Sequence, residues 1–131
     1  MRFDKLTTKF QQAFSDAQSI AVGQDNPTIE PQHLLLALLQ QEDGSTLSLL
    51  QRSGVNTAAL LENLRQQVQR LPKVENSAGE VTISRSLNNL LNLSDKEAQK
   101  HNDQFIASEM FLLAALQDKG EVSILLKQHG A

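Results

Sequence analysis

The sequence predicts an all-α domain, a duplicated helical bundle of about seven to eight helices arranged as two pseudo-symmetric repeats. Three observations carry this prediction. Apolar residues recur at helical spacing along most of the chain, the two halves match at a fixed shift, and no long stretch alternates with the period of a strand. With 131 residues, 4 % aromatics and no Trp or Tyr, the core must consist mainly of aliphatic side chains, which suits helices.

Comparison of the two halves reveals an internal repeat. Residues 29–39 match residues 106–116 at a shift of 77 positions, counted from Ile29 to Ile106. The same shift pairs further positions: Thr7 with Ser84, Phe10 with Leu87, Phe14 with Leu91, and Ala21 with Ala98. Each half is therefore one structural unit. The predicted boundaries are about 3–55 for repeat one, about 56–83 for a linking helix and loop, and about 84–131 for repeat two.

Capping and stop residues predict three helices in the first repeat. Thr7 is a suitable N-cap for the first helix, Pro31 suits the first position of the second, and Ser45 is the candidate cap of the third. The predicted ends, in the same order, are Gly23, about Glu42 and Gly54. The first helix buries one stripe at helical spacing: Phe10, Ala13, Phe14, Ala17 and Ala21.

The linking region and the second repeat carry the same kinds of signal. Asn56 caps a linking helix that ends before Pro72, and residues 73 to about 83 are expected to form a flexible connection. Ser84 caps a long helix to about His101, Ser108 opens the next helix, and residues 121–128 form the last.

Charge and composition argue against several partners. The net charge is −3 with Lys and Arg scattered singly, so nucleic acid is not an expected partner. The longest apolar run, residues 34–39, is too short to span a bilayer, and no membrane partner is expected. The absence of cysteine fits a reducing cytoplasm, which is the expected location. We expect the isolated domain to be a monomer.

Residues with catalytic or metal-binding chemistry are sparse. Glu30 and His33 have the Glu-x-x-His spacing of di-iron bundles, but the matching positions of the second half are Ala107 and Met110. The alternative is that Glu30 serves the helix start and His33 lies on a solvent-exposed face. No Ser, His and Asp set suggests a nucleophile, and no Gly is followed by Lys as in a phosphate-binding loop. We expect no enzyme activity and no cofactor in this domain.

Two apolar residues of the second repeat fall outside its predicted core stripes. At 100° per residue, Leu93 points about 120° away from its helix's buried face, and Met110 lies nearly opposite the buried face of the next helix. Their counterparts in the first repeat, Asp16 and His33, are polar. This difference predicts an apolar groove on the second half. Alternatively, each is an ordinary exposed apolar residue or packs against residues 76–83.

Three segments carry a family resemblance: residues 6–11, 29–39 and 105–116. They resemble the duplicated N-domain of the Clp/Hsp100 family of AAA+ chaperones. Within that family, the sequence is most similar to the disaggregase members. The resemblance implies a mobile stress-response module tethered to a hexameric threading ring, with ATP and magnesium confined to that ring. It also implies unfolded or aggregated protein segments as partners, and an Hsp70-type chaperone as an indirect collaborator.

The resemblance also favours the groove and places further residues beside it. The predicted substrate-binding residues are Thr7, Leu93, Asp103, Glu109 and Met110. Asp103 and Glu109 would form a polar rim that selects against acidic segments, and Thr7 is first of all a helix cap. Glu97, one turn after Leu93, departs from the family's apolar pattern and interrupts the groove. Adaptor docking, as in protease-linked unfoldases, and an inert spacer at the pore are the alternative functions.

Overall fold

The computed structural model describes residues 3–41, 44–74 and 81–131. Within these ranges the chain is mostly helical and contains seven α-helices, as the sequence predicted. In chain order the elements are a 3-10 turn Phe3–Lys5, α1 Thr8–Gly23, β1 Thr28–Ile29, α2 Pro31–Gln40, α3 Ser45–Arg52, α4 Thr57–Arg70, β2 Thr82–Ile83, α5 Arg85–Lys100, α6 Ser108–Gln117 and α7 Glu121–Gln128.

The first helix of each repeat begins at an equivalent side-chain cap. The Thr7 hydroxyl accepts a hydrogen bond from the Phe10 N–H at 3.3 Å, and the Ser84 hydroxyl accepts one from the Leu87 N–H at 3.0 Å. Each cap satisfies an amide that the helix itself leaves without a partner. Both caps are therefore confirmed, and they coincide under the repeat shift.

The third helix begins differently from the prediction. Ser45 is the first helical residue rather than the cap, and Gly44 takes the cap position without a side-chain bond. The Ser45 hydroxyl instead donates to a Glu109 carboxylate oxygen at 3.2 Å. Helix α2 ends at Gln40, and the predicted end at Glu42 lies outside the described residues.

Two short parallel pairings, which the sequence did not predict, join the repeats. Ile29 of β1 pairs with Ile83 of β2, and Leu6 forms a bridge with Ile106. The repeat shift carries Leu6 onto Ile83 and Ile29 onto Ile106. The two pairings are therefore equivalent, and each joins the start of one repeat to the middle of the other. At one or two residues each, they are too short to show alternation.

The unusual backbone angles of the loops also occur in equivalent pairs. Asp25 and Asn102 are left-handed, with φ of 57° and 58°, and Gly54 and Gly130 have φ of 88° and 105°. A Cβ on Gly130 would lie 3.3 Å from the Gly54 carbonyl oxygen. The last turns of the two repeats thus approach each other closely, and glycine permits that approach.

The core is centred on α2 and α6. Every residue of α2 from 31 to 39 is buried, because α1, α3 and α4 all pack against this helix. The rings of Phe10 and Phe111 lie 6.0 Å apart, at 54° to one another, and both side chains are fully buried. Aliphatic side chains fill the remaining core, as the shortage of aromatic residues predicted.

Candidate peptide-binding surface

Helices α5 and α6 form a seam on the surface of the second repeat. Leu93 and Glu97 lie one turn apart on α5, while Met110, Leu113 and Gln117 share one side of α6. A hydrogen bond of 2.8 Å from the Gln117 side-chain amide to the Glu97 carboxylate joins the two helices. We call these five residues the α5–α6 seam.

Met110 was predicted to project into solvent, and this prediction is wrong. Its side chain is 9 % exposed and belongs to the core. Ala114, on the same flank of α6, is fully buried, because α6 packs against α5, α7 and α3 at once. The buried part of the α6 surface is therefore wider than in a helix that packs against the core with one face only. Leu93 lies at the edge of its own helix's buried arc and is half-buried against the core.

Glu97 introduces a polar strip into the seam. Its residue is only 6 % exposed, and its carboxylate accepts hydrogen bonds from Gln117 at 2.8 Å and Lys100 at 3.3 Å. The hydrogen bond from Gln117 lowers the pKa of Glu97 most, and Lys100 and His101 act in the same direction against burial. The carboxylate therefore stays ionised and divides the apolar surface between the helices, as the sequence had indicated.

Two exposed apolar residues of the second repeat, one in the seam and one in the loop before α6, were missed by the sequence analysis. Phe105, in the loop before α6, is 55 % exposed, and Leu113 is 37 % exposed. Their counterparts are Thr28 and Leu36, and Leu36 is only 5 % exposed. Phe105 is apolar where the first repeat has the polar Thr28, which is the same difference that selected Leu93. Comparison of the repeats could therefore have identified Phe105. The Leu113 and Leu36 pair carried none, because their exposures differ only through packing.

The residues that were predicted to line the rim of the groove lie near α6 and differ in how far they are exposed. Asp103 is exposed in the loop, where its N–H donates to the Ala98 carbonyl at 2.9 Å. Glu109 is half-buried and accepts the hydrogen bond from Ser45, so its carboxylate faces α3. Thr7 reaches this region through its backbone, since its N–H donates to the Ile106 carbonyl at 3.0 Å.

His33 was expected to lie on a solvent-exposed face, and this expectation is wrong. It is fully buried, with Nδ1 accepting from the Glu30 N–H at 2.8 Å and Nε2 at 2.8 Å from the Asn26 Oδ1. Nε2 therefore carries the proton, and the imidazole is neutral. Burial lowers the pKa of His33, although the Glu30 charge opposes this effect.

Among the residues that the structure describes, no group of three or more His, Asp or Glu side chains could hold a metal ion. The same residues also contain no helix that is long and apolar enough to cross a membrane. In this part of the chain, the α5–α6 seam and the exposed Phe105 in the loop before α6 remain the candidate functional surface.

The architecture is that of a duplicated helical domain whose two repeats exchange the short strands ahead of their helices. The chain belongs to the Clp repeat (R) N-terminal domain family, which it matches over residues 5–129. It is similar to the chaperone protein ClpB of Pseudomonas putida and of Vibrio cholerae. Each is 48 % identical over 130 residues, which covers 99 % of this chain but only 15 % of the relative.

A solved structure supports the same fold. The Hsp104 N-terminal domain from Candida albicans superposes with a TM-score of 0.84 at 21 % identity, covering 96 % of this chain and 82 % of that one. Together, the family match and the sequence identity show that the chain corresponds to the N-terminal domain of a ClpB-type chaperone.

Proposed function

We propose that this domain captures exposed hydrophobic segments of misfolded or aggregated proteins and passes them to an attached hexameric threading ring. One observation carries the proposal: apolar surface is distributed unequally between equivalent repeats. Phe105 and Leu113 are exposed on the second repeat, which also carries the half-buried Leu93. The first repeat has Thr28 and the buried Leu36 at the matching positions. Exposed apolar residues grouped in this way are typical of binding surfaces.

The expected affinity is weak. An extended segment that buried roughly 400 Å² of apolar surface would gain about 10 kcal/mol gross, at roughly 25 cal/mol per Å². Association and ordering offset most of this gain, which leaves binding at about the micromolar level or weaker. Such binding suits a domain that must release its client, and six tethered copies raise the effective concentration.

The remaining features of the proposal follow from the same surface. The exposed Asp103 gives this surface an acidic margin that disfavours acidic segments, and Glu109 adds negative charge from the side that faces α3. The domain binds without performing chemistry, and the nucleotide and magnesium belong to the ring. We place the assembly in the cytoplasm, with an Hsp70-type chaperone delivering aggregates to it.

Amide chemical shifts test this proposal directly. The isotope-labelled domain is titrated with a permanently unfolded protein, and shifts are expected near Leu93, Phe105 and Leu113. The Leu113→Ser variant should bind several-fold more weakly, because about 1 kcal/mol of apolar contact is lost. Val22→Ser is the matched control, since Val22 is similarly exposed, at 40 %, on the first repeat. Equal weakening by both variants would contradict capture at this surface.

Docking of a folded adaptor is the second candidate function. The polar strip formed by Glu97 and Gln117 makes the seam a mixed surface, and folded partners bind such surfaces as readily as apolar ones. No shifts with unfolded protein, together with tight binding of one folded partner, would favour this function. If Phe105→Ser and Leu113→Ser leave disaggregation by the full-length protein unchanged, the domain is only a spacer.

A further inference from the structure

A chain of hydrogen bonds links the buried imidazole of His33 to the residues that follow α4. The His33 Nε2–H donates to the Asn26 Oδ1 at 2.8 Å, and the Asn26 side-chain amide donates to the Pro72 carbonyl at 2.9 Å. His33 and Asn26 are both buried. Because the imidazole fixes the Asn26 oxygen, it also fixes the amide nitrogen that holds Pro72. We call residues 72–74 the exit segment of α4.

The contacts of the exit segment differ in how far water reaches them. The Val74 N–H donates to the Asp25 carbonyl at 2.9 Å, and the Lys73 ammonium donates to the Gln24 carbonyl at 3.3 Å. Val74, Lys73 and Asp25 are exposed, so water competes for these bonds and reduces their net contribution. Asn26 is only 1 % exposed. Its bond is therefore the contact that anchors the exit segment to the loop between α1 and β1.

This anchor requires a neutral imidazole. The His33 Nδ1 accepts a hydrogen bond from the Glu30 N–H at 2.8 Å, and the Glu30 side chain accepts one from the His33 N–H in the same capping box. An imidazolium carries a proton on both nitrogens and has no acceptor. Protonation thus sets the Nδ1–H against the Glu30 N–H, and the ring must turn. The turn withdraws the Nε2–H from Asn26, so the amide that holds Pro72 loses its fixed orientation.

Burial, more than any neighbouring charge, keeps the imidazole neutral. Burial lowers the pKa of His33 more than the Glu30 charge raises it. The charged residues of the surrounding elements are exposed, namely Asp25 in the loop before β1, Arg52 on α3, Arg70 and Lys73 at the end of α4, and Arg85 at the start of α5. The last two turns of α1 carry no charged residue. Solvent screens the exposed charges, so burial and Glu30 set the titration of His33.

The described part of the second repeat has no equivalent of this chain of hydrogen bonds. Met110 stands at the position of His33, and Asp103 at that of Asn26. The helix start is otherwise alike, since the Met110 N–H donates to the Ala107 carbonyl at 3.0 Å, the distance of the equivalent bond at the start of α2. Acid sensitivity of this kind is therefore expected in the first repeat alone.

We infer that His33 is an acid-sensitive latch, whose protonation releases the exit segment from the loop between α1 and β1 while the helices remain folded. The latch is closed above about pH 6.5, the ordinary pKa of histidine, and loosens as the pH falls. Release comes before unfolding because the exit segment is exposed and held by few bonds, and such segments open at a lower free energy than a core. The inference does not rest on the proposed function, since no client takes part in it.

Hydrogen exchange of the Val74 amide tests the latch in the unmodified domain. Its protection factor, corrected for the intrinsic effect of pH on exchange, should fall by up to about ten-fold from pH 7.5 to 5.5. The fall should share its midpoint with the titration of the His33 ring nitrogens, followed by NMR. Urea well below the unfolding range should leave the protection factor unchanged, because local release exposes little surface.

Two variants identify the group responsible. His33→Gln keeps an acceptor for the Glu30 N–H and should give Val74 a protection factor that does not depend on pH. His129→Gln is the matched control, because the His129 Nε2 lies 3.0 Å from the Asn63 side-chain nitrogen and is a second imidazole in contact with α4. This variant should keep the wild-type response of Val74, and loss of that response would assign the effect to His129 instead.

Two further results would overturn the inference. A constant protection factor at Val74 across the titration of His33 would show that the imidazole does not hold the exit segment. If Val74 and the core amide of Leu64 lose protection together, and urea affects both equally, protonation acts through global unfolding alone. The measurements on the wild type decide the question even if His33→Gln fails to fold.

Discussion

His33 and Met110 occupy equivalent positions and are both buried, although helix geometry placed each of them on a solvent face. Burial has different consequences for the two side chains. Met110 can enter a core without partners, whereas His33 needs the Glu30 N–H and Asn26 as hydrogen-bond partners. The Asn26 side-chain amide also donates to the Pro72 carbonyl. The His33 imidazole therefore supports both the start of α2 and the position of the chain that follows α4.

Protonation of His33 is therefore expected to destabilise the domain. The pKa of His33 is lowered in the folded state from an ordinary value of 6.5, so the unfolded chain binds more protons near that pH. The stabilisation is complete above pH 6.5 and is lost as the pH falls. From pH 7.5 to 5.5 the free energy of unfolding should drop more in the wild type than in His33→Gln, by up to about 1 kcal/mol. Urea unfolding at the two pH values measures this difference.

The choice of Gln keeps the capping contact, since its side-chain oxygen can accept the Glu30 N–H. A His33→Gln variant with the full wild-type pH response would show that His33 is not the titrating group.

Thr7 combines a structural role with a position near the candidate surface. Thr7→Ala leaves the Phe10 N–H without its cap and should lower the free energy of unfolding by about 1 kcal/mol. Ser84→Ala removes the equivalent cap and should cost a similar amount. Loss of the side-chain cap loosens the chain at Thr7, whose backbone N–H holds Ile106 next to Phe105. Only Thr7→Ala should therefore also weaken binding of unfolded protein. Equal binding by the two folded variants would show that Thr7 acts solely as a cap.

At the scale of the elements, the helices were predictable and the short strands were not. Long apolar stripes and caps such as Thr7, Asn56 and Ser84 fix where the helices begin. The pairings of Leu6 with Ile106 and of Ile29 with Ile83 depend on contacts between distant parts of the chain. Propensity and periodicity are local and do not report such contacts.

The candidate surface was predictable only in part for the same reason. Comparing the repeats selected Leu93 because a polar residue stands at its equivalent position, but its side chain is half-buried against the core and not fully exposed. The comparison misplaced Met110, because the number of neighbours around α6 is a tertiary property. Leu36 and Leu113 are the same residue type in equivalent helices and differ only in exposure, 5 % against 37 %. No comparison of the two sequence repeats alone could have separated them.

Glu97 gives the α5–α6 seam a feature that can be tested by replacement. Glu97→Leu removes the polar strip and joins the apolar surfaces of Leu93 and Leu113. An added apolar contact of roughly 40 Å² is worth about 1 kcal/mol, so affinity for unfolded protein should rise about five-fold. Gln117 is exposed and can hydrogen-bond to water instead. Titration calorimetry measures the change, with Glu62→Leu as control; an unchanged or lower affinity would show that clients do not lie across the seam.

For the molecule as a whole, the exchanged pairings make each repeat depend on the other. Leu6, ahead of α1, pairs with the second repeat, and Ile83, ahead of α5, pairs with the first. A further link lies where the last turns meet, since the Asn56 N–H donates to the His129 carbonyl at 3.1 Å. We therefore expect one cooperative unfolding transition rather than separate unfolding of the two halves.

Gly130 tests this coupling because it faces the Gly54 carbonyl across that boundary. Gly130→Ala places a Cβ 3.3 Å from this oxygen at a residue with φ of 105°, so it should lower the free energy of unfolding by at least about 1 kcal/mol. Gly23→Ala is the control: a Cβ there meets nothing within 4 Å, and it should be neutral or stabilise by about 0.5 kcal/mol. Urea unfolding followed by circular dichroism should give one transition for both variants, because strain at the boundary is shared by the two repeats. A second transition in Gly130→Ala, with the first repeat keeping its wild-type midpoint, would show that the halves fold independently and that the exchanged strands do not couple them.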